Sequence, residues 1–444
     1  MKQFDIVVIG GSAAGLTAAI TARRHFPDHS ILVLRKEEQV LIPCGIPYIF
    51  GTLGSPQKNL IGDGVLDKNG IQKLIAEATD VDREQKVVHT TVGEIGYEKL
   101  ILATGSRPVM LPIPGCELEA VYPIVKDVSY LTELQSKLET ARHVVIIGGG
   151  FIGIEFADEI NKMGDNEVTV VEIAPHCLSL AYDTEFCVEM EKVIASRGIH
   201  VCTSARVAQI EGNGKVAAVT LTDGTRIPAD VVILGVGAVA NVDLAKKAGL
   251  HIGLSGGVAV DRTMQTSDRD IYACGDCAEK ISFFGGRPSP LKLASIATYE
   301  ARIAAANLFG VHRENAGTVG VWSTAIGNVA LATAGLTEEM ARERGYDVVP
   351  VSIDGPNRHP GAMPGAASTR VKLVFERRSQ VLLGGQVMGD AAAGEIINAI
   401  SACVQNRMTA ETIAMFQTGT HPALTASPIA YHMVNAAELA LLQS

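Results

Sequence analysis

His143-Val144-Val145-Ile146-Ile147-Gly148-Gly149-Gly150-Phe151-Ile152-Gly153 is a run of β-branched residues that ends abruptly in glycines. A helix-like stretch follows through Met163, and then a second strand-like run, Glu167 to Val171, closing on Glu172. Strand, glycine turn, helix and strand are the start of a parallel, doubly wound sheet. Glycines at such a turn let backbone N–H groups approach a pyrophosphate, and the helix presents its partly positive N-terminus to the same anion. Gly148, Gly150 and Gly153 complete the spacing, with Phe151 and Ile152 inside it, and Gly235 closes a later strand of the same unit. Glu172 lies where a carboxylate accepts from a ribose diol and repels a 2′-phosphate, which favours NADH over NADPH.

The same grammar occurs at the N-terminus. Phe4-Asp5-Ile6-Val7-Val8-Ile9 leads into Gly10-Gly11-Ser12-Ala13-Ala14-Gly15, a helix-like stretch to His25, and a strand from Ser30 to Leu34. This copy is imperfect. Ser12 replaces the middle glycine, and Arg35 and Lys36 occupy the place of the acid. Two ways of holding the adenosine end stay open: Glu37 or Glu38 at the ribose, or Arg35 and Lys36 against the adenosine. A third region begins near Val321, with a strand through Ser368 to Glu376 after a loop marked by Pro356, Pro360 and Pro364. A helix-rich tail runs from Gly394 to Ala414.

The chain has 444 residues, 47% of them hydrophobic and 19% charged, so material for several cores is present, which argues against disorder. Lys plus Arg is 38 and Asp plus Glu is 48, and no basic block interrupts the net charge of −10. That argues against nucleic-acid partners. No signal peptide is read in Met1-Lys2-Gln3-Phe4-Asp5, and apolar runs such as 231–240 are too short for a bilayer; the expectation is a soluble, cytoplasmic chain with no membrane partner. Eight irregularly spaced cysteines do not form a secreted disulfide framework. The C-x-x-C of Cys274 and Cys277 has no second Cys or His pair at zinc spacing, so no metal is expected.

Two further segments support the first turn as a cofactor site. One is a strand ending in Ala103-Thr104-Gly105, and the other a strand ending in Cys274-Gly275-Asp276. After the second strand of the first copy comes Pro43-Cys44-Gly45-Ile46-Pro47-Tyr48, whose cysteine is expected to open a helix that stabilises its thiolate. No second cysteine follows to make an internal disulfide, so Cys44 acts alone, as thiolate, sulfenate, persulfide or mixed disulfide.

On these residues the chain resembles the single-cysteine branch of the FAD-dependent pyridine nucleotide-disulfide oxidoreductases. That branch includes coenzyme A-disulfide reductase, NADH-dependent persulfide reductase, NADH peroxidase and NADH oxidase. The resemblance implies an α/β chain with two doubly wound, Rossmann-like domains and an α+β C-terminal dimerisation domain. FAD would occupy residues 1–117 and 245–322, NADH 118–244, and the homodimer contact 323–444. It further implies that Asp276 holds the ribityl chain, with Gly10, Ser12, Ala13, Ala14, Gly15, Arg35, Lys36, Pro43, Thr104, Gly105 and Gly275 around the FAD. Lys292, Leu293 and Ala294 would start a helix facing the flavin ring.

In this reading hydride passes from NADH to FAD and on to a Cys44–sulfur adduct of a low-molecular-weight thiol such as coenzyme A. The substrate is a disulfide, persulfide or polysulfide. Arg23 and Arg24 match residues that contact coenzyme A phosphates, and Met363 stands at a position of a substrate-side tyrosine. His421, in Gly419-Thr420-His421-Pro422, is expected as acid–base group donated by the other subunit; a structural interface role is its alternative, and His359 a second candidate. The rival activity is reduction of oxygen or peroxide through a Cys44 sulfenate. It is disfavoured because the first turn lacks the histidine of peroxidase and oxidase relatives. An electron-transfer component and a redox sensor are the remaining rivals.

Overall fold

The computed structural model describes residues 1–443. Contacts group the chain into two compact units. One comprises Met1–Pro112, Tyr122–Thr140 and Val236–Thr318, and the other Ile113–Val121, Ala141–Gly235 and Val319–Ser444.

In the first unit five parallel strands lie in the order Gln72–Ile75, Ile31–Arg35, Lys2–Ile9, Gly93–Leu102, Ile271–Ala273. Ile31 to Arg35 are all buried, the mark of a central strand covered on both faces. Helix Ala13–His25 is Ala-rich on its buried side, so it packs closely against the Ala-rich helix Ala294–Ala306. Both helices start beside the carboxyl end of the sheet, where ligands of doubly wound folds bind.

The second unit repeats the plan. Four parallel strands run Val231–Leu234, His143–Ile147, Glu167–Val171, His200–Cys202, with helix Phe151–Asn161 after the glycine turn. The same unit holds a five-stranded antiparallel sheet, ordered Val321–Ile326, Val329–Gly335, Leu382–Gly389, Ser368–Glu376, Val348–Pro356. Helices Ala393–Gln405 and His432–Gln443 pack on it, which makes this region α+β. Lys372 is buried there among Asp183, Glu185 and Glu338, at 2.8, 2.5 and 2.8 Å. No helix among the described residues is long and apolar enough to cross a membrane.

Candidate active site

Each glycine turn is shaped by its own backbone. Gly10 has φ +126°, and a Cβ there would lie 2.2 Å from the Ala103 carbonyl. Gly15 is pressed so closely on Gly10 that its Cβ would sit 1.9 Å from the Gly10 oxygen. The second turn repeats both features: Gly148 has φ +110°, and a Cβ on Gly153 would lie 1.8 Å from the Gly148 oxygen. Gly235 packs against Gly153, where its Cβ would meet the Gly153 Cα at 3.3 Å. The middle position differs. Ser12 and Gly150 are helix N-caps with φ −95° and −74°, and neither makes a side-chain cap bond. Helices of 13 and 11 residues therefore begin with open N–H groups at Ala13–Ala14 and Phe151–Ile152. Each cradle fits a pyrophosphate: the first N–H groups of its helix carry no side-chain cap.

The residues beside the two turns carry opposite charge. Glu172 accepts from the Gly149 N–H at 2.6 Å and from the Ala174 N–H at 2.6 Å. Its remaining lone pairs suit a ribose diol. At the matching place in the first copy, Arg35 is buried, and its stem fills the space a Gly11 Cβ would need, 2.4 Å from its Cδ. Its guanidinium grips Asp63 with two bonds of 2.7 and 2.9 Å and the Glu37 and Glu38 carbonyls at 2.9 Å each. Arg35 thus faces the protein, and the exposed Lys36 is the member of the pair open to solvent. The Arg35 guanidinium holds the Asp63 carboxyl below the usual carboxylate range.

Thr104, Gly105 and Asp276 meet in the first unit. The Thr104 hydroxyl donates to the Asn241 carbonyl at 2.7 Å, and Gly105 takes φ +70°. The Asp276 carboxylate accepts from the Ser106 hydroxyl at 2.7 Å, with the Lys126 ammonium 3.9 Å away. Sequence reasoning missed Ser106 and Lys126, although Ser106 directly follows the Thr-Gly signature. A Cβ on Gly275 would lie 2.8 Å from the Ala14 Cβ, so the Gly-Asp loop touches the first turn. Leu293 caps helix Ala294–Ala306 without a side-chain bond, leaving its N–H groups open. Burial holds the neighbouring Lys292 below the usual lysine range.

Cys44 is the exposed one of eight cysteines. Burial pushes the thiols of Cys177 and Cys187 up to about 12 and that of Cys403 up to about 11. It also raises Cys116, Cys202, Cys274 and Cys277. The C-x-x-C thiols are wholly buried, and Cys277 donates to the Leu102 and Cys274 carbonyls.

The expected helix at Cys44 requires a correction. Pro43–Gly45 is one 3-10 turn, and a π-turn, Ile49–Leu53, comes later. An α-helix starting at Pro43 needs the N–H of residue 47, which is Pro47 and has none. So short a turn sums little peptide dipole toward the thiol. Asn59 fixes the turn instead: it donates to the Ile42 carbonyl at 2.9 Å and fills the space beside Gly45, where a Cβ would be 2.0 Å from its Oδ1.

Among the substrate-side residues, Arg23 is committed elsewhere. Its guanidinium donates to the carbonyls of Asn69, Pro27, His29 and Gly70 at 3.0, 2.7, 2.7 and 3.1 Å, tying down the end of its helix. Arg24 is exposed. The Met363 loop and the His421 segment are joined in the second unit. The His359 N–H donates to the Pro422 carbonyl at 3.1 Å, and its Nδ1 lies 3.1 Å from the Thr425 carbonyl. A carbonyl only accepts, so His359 Nδ1 carries a hydrogen and its Nε2 is the nitrogen that exchanges protons. His421 is exposed, and its Nδ1 accepts from the Ala423 N–H at 3.2 Å, which puts the proton of the neutral ring on Nε2.

Comparison with known proteins agrees with these features. Residues 4–301 match the pyridine nucleotide-disulphide oxidoreductase family model, and residues 321–429 match the dimerisation domain of that family. The NAD(P)H coenzyme A polysulfide/persulfide reductase of Pyrococcus horikoshii is 33% identical over 397 residues, covering 88% of each chain. An NADH oxidase of Methanocaldococcus jannaschii is 30% identical over 424 residues, covering 92% of each. The solved NAD-dependent persulfide reductase from A. fulgidus superposes with a TM-score of 0.92 at 32% identity, covering 99% of this chain and 83% of that one. With both dinucleotide turns, the solitary exposed thiol and the C-terminal sheet in place, the chain belongs to the pyridine nucleotide-disulphide oxidoreductase family.

Proposed function

We propose that this protein is an NADH-dependent reductase of disulfide, persulfide or polysulfide sulfur, with Cys44 as its nucleophile and FAD as its resident cofactor. The observation that carries the reading is the exposure of Cys44 while burial raises the other seven thiols. A thiolate is the attacking form, so the remaining cysteines are held inert. Relatives named NAD(P)H coenzyme A polysulfide/persulfide reductase and CoA-dependent NAD(P)H sulfur oxidoreductase support the choice of chemistry.

The first turn, with Gly10, Ser12 to Gly15, Thr104, Gly105, Gly275, Asp276, Leu293 and Ala294, would hold FAD. Lys36 and Pro43 would border that site. The second turn, Gly148 to Gly153, with Glu172 and Gly235, would hold NADH. FAD, when bound, supplies two-electron transfer between the nicotinamide and the thiol adduct. Cys44 attacks one sulfur of the substrate, forming a new S–S bond as the other sulfur leaves with its electron pair. That leaving thiolate takes a proton from the cluster carrying His421 and His359, contributed across the homodimer. Of the two, His359 keeps its Nδ1 bond to the Thr425 carbonyl in both protonation states, whereas His421 must release the Ala423 N–H to become doubly protonated. Arg24 and Met363 are assigned to the thiol's carrier, and a coenzyme A phosphate is the anion proposed for Arg24. A thiolate of this kind works in a reducing compartment, and we assign the chain to the cytoplasm.

Oxygen or peroxide reduction through a Cys44 sulfenate is the second reading, favoured by relatives named as NADH oxidases. Replacing Cys44→Ser tests both. The variant should keep its yellow FAD and lose NADH turnover on coenzyme A disulfide and polysulfide by at least about 1,000-fold. Undiminished turnover on those substrates would overturn the proposal. Turnover on oxygen that exceeds turnover on sulfur in the parent selects the second reading.

A further inference from the structure

Beneath the Gly275-Asp276 loop lies an ion pair that none of the chemistry above uses. Lys280 and Glu300 are 2% and 0% exposed. The Lys280 ammonium spends its three hydrogens on the Gly275 carbonyl at 2.5 Å, the Ala278 carbonyl at 3.0 Å and Glu300 Oε2 at 3.1 Å. Glu300 Oε2 also accepts the Gly275 N–H at 2.9 Å, while its Oε1 is buried without a partner. One residue, Gly275, is therefore held from both sides, at its N–H by the carboxylate and at its C=O by the ammonium.

A buried ion pair is a poor device for stability, because desolvation consumes most of its attraction, and apolar replacements are often neutral or better. Its geometry serves direction. In a trans peptide the C=O and the following N–H point opposite ways. With the Gly275 carbonyl fixed on Lys280, the Asp276 N–H points away from the buried pair, and among the described residues that N–H has no partner. Gly275 holds φ +75°, and Ala14 of the first glycine turn fills the space its Cβ would need. The loop is thereby locked against the helix start that cradles a pyrophosphate.

The geometry points to Lys280 and Glu300 as a positioning pair that sets the Gly275–Asp276 peptide, so that Asp276 presents its N–H together with its carboxylate to the bound dinucleotide. This rests on the proposed FAD site and adds the residues that aim it. Each severed tie to Gly275 should loosen the dinucleotide on the order of tenfold. Burial pushes the Glu300 carboxyl up to about 7, so it can take up a proton once its cation is removed, and single variants at Lys280 can fold.

The test follows FAD release from the holoprotein by the rise of flavin fluorescence on dilution, alongside thermal unfolding of the same proteins stripped of FAD, where weaker FAD binding does not itself lower the transition. Lys280→Met/Glu300→Leu should unfold no earlier than the parent yet release FAD on the order of 100-fold faster, with Lys280→Met between. Glu300→Gln keeps an acceptor for the Gly275 N–H. It should hold FAD within about threefold of the parent while unfolding at a lower temperature, because Lys280 is left unpaired. Opposite movement of the two readouts is the signature of positioning. FAD release that simply follows unfolding temperature across the three variants, or release from the double variant within about threefold of the parent, would overturn the inference. A parent that carries no FAD would instead overturn the proposed function.

Discussion

The two glycine turns are built on one backbone plan and differ in the side chain that stands beside them. In the second turn Glu172, an acceptor-only group, accepts the Gly149 N–H. In the first, Arg35 occupies the equivalent niche and turns its charge onto Asp63 and two backbone carbonyls. The niche therefore admits either sign of charge. In the proposed reading the backbone makes the phosphate cradle, and the neighbouring side chain decides whether the adenosine ribose meets a carboxylate.

If the backbone makes the cradle, the largest effects belong to the third glycine. A methyl at Gly153 would collide with the Gly148 carbonyl, and one at Gly15 with the Gly10 carbonyl, and neither backbone group can yield cheaply. Gly153→Ala should weaken NADH on the order of 100-fold and leave the flavin in place. Gly15→Ala should do the reverse, with NAD binding retained in a colourless protein. Calorimetric titration with NAD and the visible spectrum separate the two. A single variant that lost both ligands would show that the turns are not independent.

The carboxylate comes next. Glu172→Ala strips the Gly149 and Ala174 N–H groups of their acceptor and removes the charge that opposes a 2′-phosphate. NADH affinity should fall roughly tenfold while NADPH is unharmed or gains, so the ratio of kcat/KM values moves toward NADPH. An unchanged ratio would reject Glu172 as the discriminating group.

Much of this was legible from residue order, because the decisive features are local. Strand runs, positive-φ glycines at 10 and 148, and Glu172 at the end of its strand all lie within one supersecondary unit. The start of the C-terminal sheet at Val321 was read from a change in strand pattern. Failures came where long-range partners decide. Arg35 reads as a ligand-side cation until Asp63, 28 residues away, is seen to claim it. Arg23 is claimed by carbonyls at 69 and 70. The helix at Cys44 fails for a local reason that could have been read: Pro47 removes the N–H it needs. Lys280 and Glu300 give no signal at all, since each alone looks like a solvated charge.

Burial raises one glutamate carboxyl in each unit, Glu155 and Glu300, and these differ in partner. Glu155, on the helix that opens the second turn, is pushed up to about 7 by burial, with only the Thr324 hydroxyl at 2.8 Å drawing it back. Glu300 has Lys280. For an acid whose folded value is raised, the native state holds the extra proton, so stability is complete below the ordinary 4.5 and declines as pH rises toward 7. Glu155→Gln should flatten that decline in the second unit, by on the order of 1 kcal/mol. Trp322, the one tryptophan, packs edge-on against Phe151 at 5.6 Å in that unit and provides the fluorescence probe for denaturant titrations at pH 5 and 8. A parent and variant with the same pH slope would remove Glu155 from the account.

The smallest effect is expected at the middle position, and it is the sharpest test of the comparison. Read as a motif, Ser12 is a defect and Gly150 the proper residue. Read as backbone, both are helix N-caps with negative φ, and a Cβ on Gly150 meets nothing within 4 Å. Neither conformation needs glycine, and serine is a favoured N-cap whose hydroxyl can satisfy an open helix N–H. Gly150→Ser would copy the first turn into the second. It should change NADH affinity by less than about threefold and stabilise the helix by a few tenths of a kcal/mol. A loss comparable to that of Gly153→Ala would mean that the pyrophosphate approaches closer at Gly150 than the serine side chain allows. The two turns would then hold their ligands at different depths, and the equivalence drawn from their shared backbone would be confined to the first and third glycines.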